Sequence, residues 1–175
     1  MESPPYTGAG FILLSHYIGS VLLIKDARSQ KWGFPKGHRE TEDASDLATA
    51  VRECREEIGL DPSHYTVVEP SFRLTRGSAS YLFRYAVLKN AVEPLTLRPG
   101  EISAAQWEPV ASVMANAAYA ETGNKYLRTW IADLKNTEVR RKSVLLYSML
   151  TRCPSTQGRP VGLEAPRLSH VVTRA

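Results

Sequence analysis

The chain has 175 residues, 43% of them hydrophobic and 23% charged, with a net charge of +4, which fits one soluble globular domain with a proper core. Its two cysteines, Cys54 and Cys153, are too few for a disulfide framework, and the longest apolar runs, at 11–14 and 21–24, are far too short to span a bilayer. No basic region followed by an apolar one opens the chain, so no secretory signal is expected and a reducing, cytoplasmic setting is the expectation.

Residues 8–15 and 18–25 read as two strands rich in Ile, Leu and Val, followed by a turn over 26–30. The run Trp32-Gly33-Phe34-Pro35-Lys36-Gly37-His38 alternates aromatics with Gly and Pro and cannot continue a helix, so it reads as a loop. A helix is predicted over 43–58, stopped by Gly59 and by Asp61-Pro62. Further strands are predicted over 65–74 and 80–89, joined by a turn around Arg76-Gly77-Ser78. A turn at Arg98-Pro99-Gly100 then leads to a short strand over 104–107. Pro109 opens a helix, and 124–136 is amphipathic, with Tyr126, Leu127, Trp130, Ile131 and Leu134 toward the core. Strands flanked by helices on either side predict an α/β fold, an α/β/α sandwich on a mixed sheet.

Residues 137–151 carry a further helical pattern, and 152–175 is broken by Pro154, Gly158, Pro160, Gly162 and Pro166 and is expected to be poorly ordered. Seven Lys and Arg against two Glu give residues 137–175 a charge of +5, leaving −1 for residues 1–136 out of the total of +4. Such a basic tail suits contact with RNA, an anionic membrane or an acidic partner, or it is simply a solubilising end.

The predicted helix over 43–58 carries the chemistry. Measured from Glu53 at about 100° per residue, Glu57 falls near ~40° and Glu56 near ~300°, so three carboxylates share one face beside an apolar stripe of Leu47, Val51, Cys54 and Ile58. Crowded like charges destabilise a helix unless cations neutralise them. Oxygen ligands of this kind suit Mg²⁺ or Mn²⁺, although a solvated acidic face paired with Arg52 and Arg55 has the same pattern.

The loop and helix together resemble the Nudix hydrolases, whose box reads G-x5-E-x7-R-E-U-x-E-E-x-G-U, with U a bulky aliphatic. Gly37 and the run Arg52-Glu53-Cys54-Arg55-Glu56-Glu57-Ile58-Gly59-Leu60 occupy the matching positions, with Cys54 in place of an aliphatic. The first half departs from the pattern: Asp43 stands where the family has Glu, and one extra residue separates it from Arg52. The insertion falls in the loop over 42–46, with Asp43, or alternatively Glu42, as the loop carboxylate that braces the arginine. The resemblance implies a Nudix fold over residues 1–136 and a metal held by Glu53, Glu56, Glu57 and the Gly37 backbone carbonyl, with Arg52 organising the carboxylates. It also implies Glu101, from a distant loop, as a further ligand or general base, a role that one of the box glutamates can fill instead.

The segments KWGFPKGH, RGSASYLFRYAVL and GEISAAQWEPV resemble those of the asymmetrically cleaving diadenosine tetraphosphate hydrolases within this superfamily. That likeness implies a dinucleoside polyphosphate substrate cut to ATP and AMP, with Lys36, His38, Arg73 and Arg76 as phosphate contacts. Tyr81, Tyr119 and Tyr126 are the candidates for stacking on a base, and equally for ordinary core positions. WGFPKG also resembles the messenger-RNA decapping branch, so a cap or RNA 5′-end hydrolase is the alternative. A catalytically silent Nudix-fold RNA-binding subunit is a third.

Overall fold

The computed structural model describes residues 6–15, 19–76, 79–90 and 94–136. The helix expected over 137–151 and the tail over 152–175 lie outside the described residues. Among the described residues no helix is long and apolar enough to cross a membrane.

Strand β1 (Gly8–Ser15) turns into β2 (Ser20–Asp26), and the two pair only at their shared end, through Leu14 with Val21 and Ser15 with Ser20. Beyond that point they diverge like a fork. The run 32–38 fills the gap: β3 (Trp32–Gly33) pairs with β2, and β4 (Lys36–His38) pairs antiparallel with residues 8–10 of β1. Five of these seven residues are therefore sheet, with Phe34 and Pro35 as the link between the strands, and not the continuous loop their Gly and Pro content predicts. The open edges of β1 and β2 carry unpaired backbone groups, and pairing satisfies them at the cost of only two short extended stretches.

On its other edge β1 runs parallel to β6 (Ala79–Leu88), which pairs with β5 (Tyr65–Arg76), while β2 pairs with β7 (Ile102–Pro109). One parallel pair among antiparallel ones makes a mixed seven-stranded sheet.

Strands β1 and β2 are buried on both faces, which explains why they read as continuous apolar runs. Phe11, Leu13, Leu22 and Ile24 face α1 (Asp46–Ile58), whose Ala50, Cys54 and Ile58 complete that half of the core. Ile12, Val21 and Leu23 face the other layer, α2 (Val110–Ala115), α3 (Tyr119–Thr122) and α4 (Lys125–Lys135), with Leu127, Trp130 and Ile131 packed on Phe34 and Phe83. Each such fully buried side chain contributes about 1.5–3 kcal/mol relative to exposure. The architecture is an α/β/α sandwich on a mixed sheet, as the order of elements in the sequence predicts.

Helix α1 starts at Asp46, three residues later than its periodicity predicts, because Ser45 is the better cap: its hydroxyl accepts the Ala48 N–H at 3.1 Å. At the other end Gly59, at φ 76°, adopts the left-handed turn that lets its N–H close on the Arg55 carbonyl. Two of the end carbonyls left over are taken by a crossing segment, with Thr96 N–H donating to Ile58 at 2.9 Å and Arg98 N–H to Glu57 at 3.0 Å.

Candidate active site

One open cleft of about 540 Å³ is lined by Asp26, Arg28, Lys36, Gly37, His38 and Glu40, by the box residues Arg52, Glu53, Glu56 and Glu57, and by Tyr81, Arg98 and Glu101. Five parts of the chain supply it: the end of β2 with its turn, strand β4 with the residues after it, one face of α1, Tyr81 of β6, and the segment that ties down the C-terminal end of α1.

Arg52 is the hub. Its guanidinium donates from Nε to Asp43 Oδ1 at 3.2 Å and from Nη2 to Asp43 Oδ2 at 2.9 Å, a two-pronged pairing. It also reaches the His38 carbonyl at 2.8 Å and, from Nη1, Glu53 Oε1 at 2.7 Å. Strand β4, the loop carboxylate and the first box glutamate are thus held by one side chain. Asp43 is only 6% exposed and further accepts Thr49 Oγ1 and the Glu40 N–H, each at 2.9 Å. Hydrogen bonding from Arg52 outweighs the desolvation of burial and holds the Asp43 carboxyl down to about 2. The same partners raise the Arg52 pKa further above its already high value. Glu42, the alternative brace, is exposed.

Gly37 sits against Glu53 so closely that a Cβ on it would collide with the Glu53 carboxylate. Only glycine lets β4 backbone approach the acidic helix at this point. Glu57 lies deeper, 8% exposed, with Oε2 accepting the Lys36 backbone N–H at 2.9 Å. Burial pushes its pKa up to about 8, and the charges of Glu53 and Glu101 add to that, against the Lys36 contacts. Burial also raises Glu53, opposed by Arg52. Glu56 is met by Arg98 Nη1 at 2.9 Å, and Arg98 Nε lies 3.4 Å from Glu101 Oε1.

The donor chemistry fits a hard divalent ion: Glu53, Glu56, Glu57, Glu101 and the backbone of Gly37 all line one cleft. Among the described residues no three acidic, histidine or cysteine side chains are already drawn together around one point. The hydrogen bonds explain why: Arg52, Arg98 and the Lys36 N–H each draw one box carboxylate their own way.

Of the predicted substrate contacts, Lys36 and His38 line the cleft. Arg73 does not; it donates to Ser80 Oγ at 3.3 Å on the β5–β6 hairpin, because its register turns it along that ribbon. The side chain of Arg76 lies outside the described residues. The candidate stacking tyrosines are buried: Tyr81, Tyr119 and Tyr126 are 6%, 4% and 6% exposed, which leaves little ring surface open to a base. Tyr126 packs on Tyr81 at 4.9 Å and Phe83 at 5.3 Å, and only Tyr81 reaches the cleft. Sequence reasoning missed Asp26, Arg28, Glu40 and Arg98. Arg98 carried a signal, since it precedes Glu101 by three residues across a Pro-Gly turn. Arg28 carried none, and enters because the Ala27 N–H donates to the Glu101 carbonyl at 2.7 Å.

The mixed sheet between two helical layers and this acid-lined cleft define a domain of the Nudix hydrolase type. The NUDIX domain family model matches residues 6–131, and the chain belongs to the Nudix family. Among solved structures, a Caenorhabditis elegans Ap4A hydrolase binary complex shares the fold at TM-score 0.61 and 22% identity, covering 81% of this chain and 98% of that one. A MutT protein from Methanosarcina mazei does so at TM-score 0.57 and 16% identity, covering 82% and 98%. By sequence, the chain is 25% identical over 109 residues to a Saccharomyces cerevisiae mRNA-decapping enzyme subunit 2, and 41% identical over 59 residues to its Arabidopsis thaliana counterpart. These stretches are 61% and 34% of this chain but only 11% and 15% of the relatives' lengths.

Proposed function

We propose that this domain is a metal-dependent hydrolase that cleaves a phosphoanhydride bond in dinucleoside polyphosphates, diadenosine tetraphosphate to ATP and AMP, by attack of water on phosphorus. The observation that supports it is the convergence of Glu53, Glu56, Glu57 and Glu101 with Lys36, His38 and Arg28 in one open cleft. Carboxylates of this number suit Mg²⁺ or Mn²⁺, and basic groups beside them suit a substrate with several phosphates.

When bound, a divalent ion would neutralise the polyphosphate charge and make hydroxide available near neutral pH. Glu53, Glu56, Glu57 and the Gly37 carbonyl would hold it, with Glu101 as a further ligand or the base that takes the proton from water. Glu101 remains 45% exposed, which gives it access to that water. Arg52 keeps Glu53 in place and is too committed to Asp43 and His38 to serve substrate. Lys36, Arg28 and His38 would meet phosphate oxygens. Water's oxygen bonds to phosphorus as the bridging P–O bond breaks, and the leaving phosphate departs with the electron pair.

A second reading is hydrolysis of an RNA cap or 5′ end, favoured by the likeness to mRNA-decapping subunits. A capped end is also a dinucleoside polyphosphate, with RNA on one side, and the same residues would act. The test is turnover, with Mg²⁺ and with Mn²⁺, of diadenosine tetraphosphate, a nucleoside triphosphate, a nucleotide sugar and capped RNA in ¹⁸O-labelled water. ATP plus AMP from the dinucleotide upholds the first reading, and release of capped nucleotide from RNA alone the second. Inactivity on all four overturns both.

A further inference from the structure

We propose that Arg98 is an exchangeable cation of this cleft: it bridges Glu56 and Glu101 in the free protein, yields them when a divalent ion binds, and then contacts the substrate's polyphosphate. The inference rests on the hydrolase reading above and adds a residue that the Nudix box does not assign.

Two arginines approach Glu56, and they differ in freedom. Arg52 is 20% exposed and locked by Asp43, Glu53 and the His38 carbonyl; it lies 3.6 Å from Glu56. Arg98 is 44% exposed, and among the described residues its guanidinium pairs with Glu56, at 2.9 Å, and Glu101, at 3.4 Å. Half-exposed ion pairs of this sort are weak, so breaking them costs little. Arg98 is nevertheless fixed at its root. Its N–H is bonded to the Glu57 carbonyl, Thr96 is bonded to Ile58, and Leu95 and Leu97 pack against the α1 side of the core. The backbone therefore stays put while the side chain swings within the cleft.

Charge supplies the reason to swing. The cleft lining holds six carboxylates (Asp26, Glu40, Glu53, Glu56, Glu57, Glu101) against four permanent cations (Arg28, Lys36, Arg52, Arg98), a balance of −2 when all are ionised. A divalent ion held by Glu53, Glu56 and Glu57 would cancel that balance, take Glu56 from Arg98 and repel its guanidinium. The released fork, still inside the cleft, matches phosphate oxygens in shape and charge. A lysine provides the charge without the fork.

The test uses the full chain stripped of metal, as wild type, Arg98→Ala and Arg98→Lys, each checked for an unchanged unfolding transition. Mn²⁺ binding is followed by electron paramagnetic resonance without substrate, then binding of a methylene-bridged, non-hydrolysable diadenosine polyphosphate with Mn²⁺ present. Arg98→Ala is expected to bind Mn²⁺ up to about fivefold more tightly, because the competitor is gone. It is expected to bind the analogue roughly tenfold more weakly, with Arg98→Lys between it and wild type. Unchanged or weaker Mn²⁺ binding by Arg98→Ala, or an unchanged affinity for the analogue, overturns the exchange while leaving the hydrolase reading standing. A wild type that binds no Mn²⁺ overturns both.

Discussion

Replacing Asp43 by Asn tests whether the loop carboxylate organises the site. In the folded protein four donors converge on Asp43: Nε and Nη2 of Arg52, Thr49 Oγ1 and the Glu40 N–H. They lower its pKa from 3.8 to about 2. At about 1.4 kcal/mol per unit this corresponds to about 2 kcal/mol of stability. The folded pKa lies below the unfolded one, so that stability is present above pH 4 and is lost as the pH falls through about 2. Asn retains one acceptor oxygen but turns an amide N–H₂ toward a guanidinium. Urea unfolding at pH 7 should therefore show Asp43→Asn less stable by about 2 kcal/mol, and a series from pH 5 to pH 2 should show a flatter acid limb than wild type. Turnover should fall as well, since Arg52 then holds Glu53 and the His38 carbonyl without its own anchor. An unfolding free energy within about 0.5 kcal/mol of wild type, the range of ordinary surface changes, would refute the reasoning.

Glu57→Gln should abolish Mg²⁺-dependent hydrolysis and leave the protein folded. Burial raises the folded pKa of Glu57 to about 8, so wild type loses stability as the pH rises from about 4.5 to about 8, and the amide removes that loss. At pH 9 without metal the variant should unfold at or above the wild-type midpoint; a lower midpoint would contradict the burial argument. The same raised pKa means that metal binding at pH 7 must expel a proton. Calorimetric Mn²⁺ titrations in two buffers of different ionisation enthalpy should report release of about one proton per ion, fading by pH 9, and identical heats would count against Glu57 as a ligand. Gly37→Ala should lower kcat about a hundredfold by displacing the Glu53 carboxylate, with little change in fold, and near-normal kcat would exclude the tight packing of β4 on α1.

Local chemistry in the sequence was enough to determine the fold class, the two-sided apolar strands and the acidic face of α1. Glu53, Glu56 and Glu57 recur at helical spacing, so any helix through them puts them together, and Gly59 ends that helix wherever it packs. Other features depended on neighbours distant in the chain. The run 32–38 became two strands because β1 and β2 diverge and leave edges to be paired, which no local propensity encodes. Three tyrosines were indistinguishable from base platforms until α4 packed Tyr126 on Tyr81 of β6 and α3 set Tyr119 against Gln106 of β7. Asp43 reached Arg52 because Ser45 captured the helix start and left the inserted residue in the loop. Arg28 and Arg98 entered the cleft through hydrogen bonds to Glu101 and Glu57, contacts made between segments that periodicity treats as separate. Sequence determines which groups a helix or strand presents; only tertiary hydrogen bonding decides which distant charges meet them.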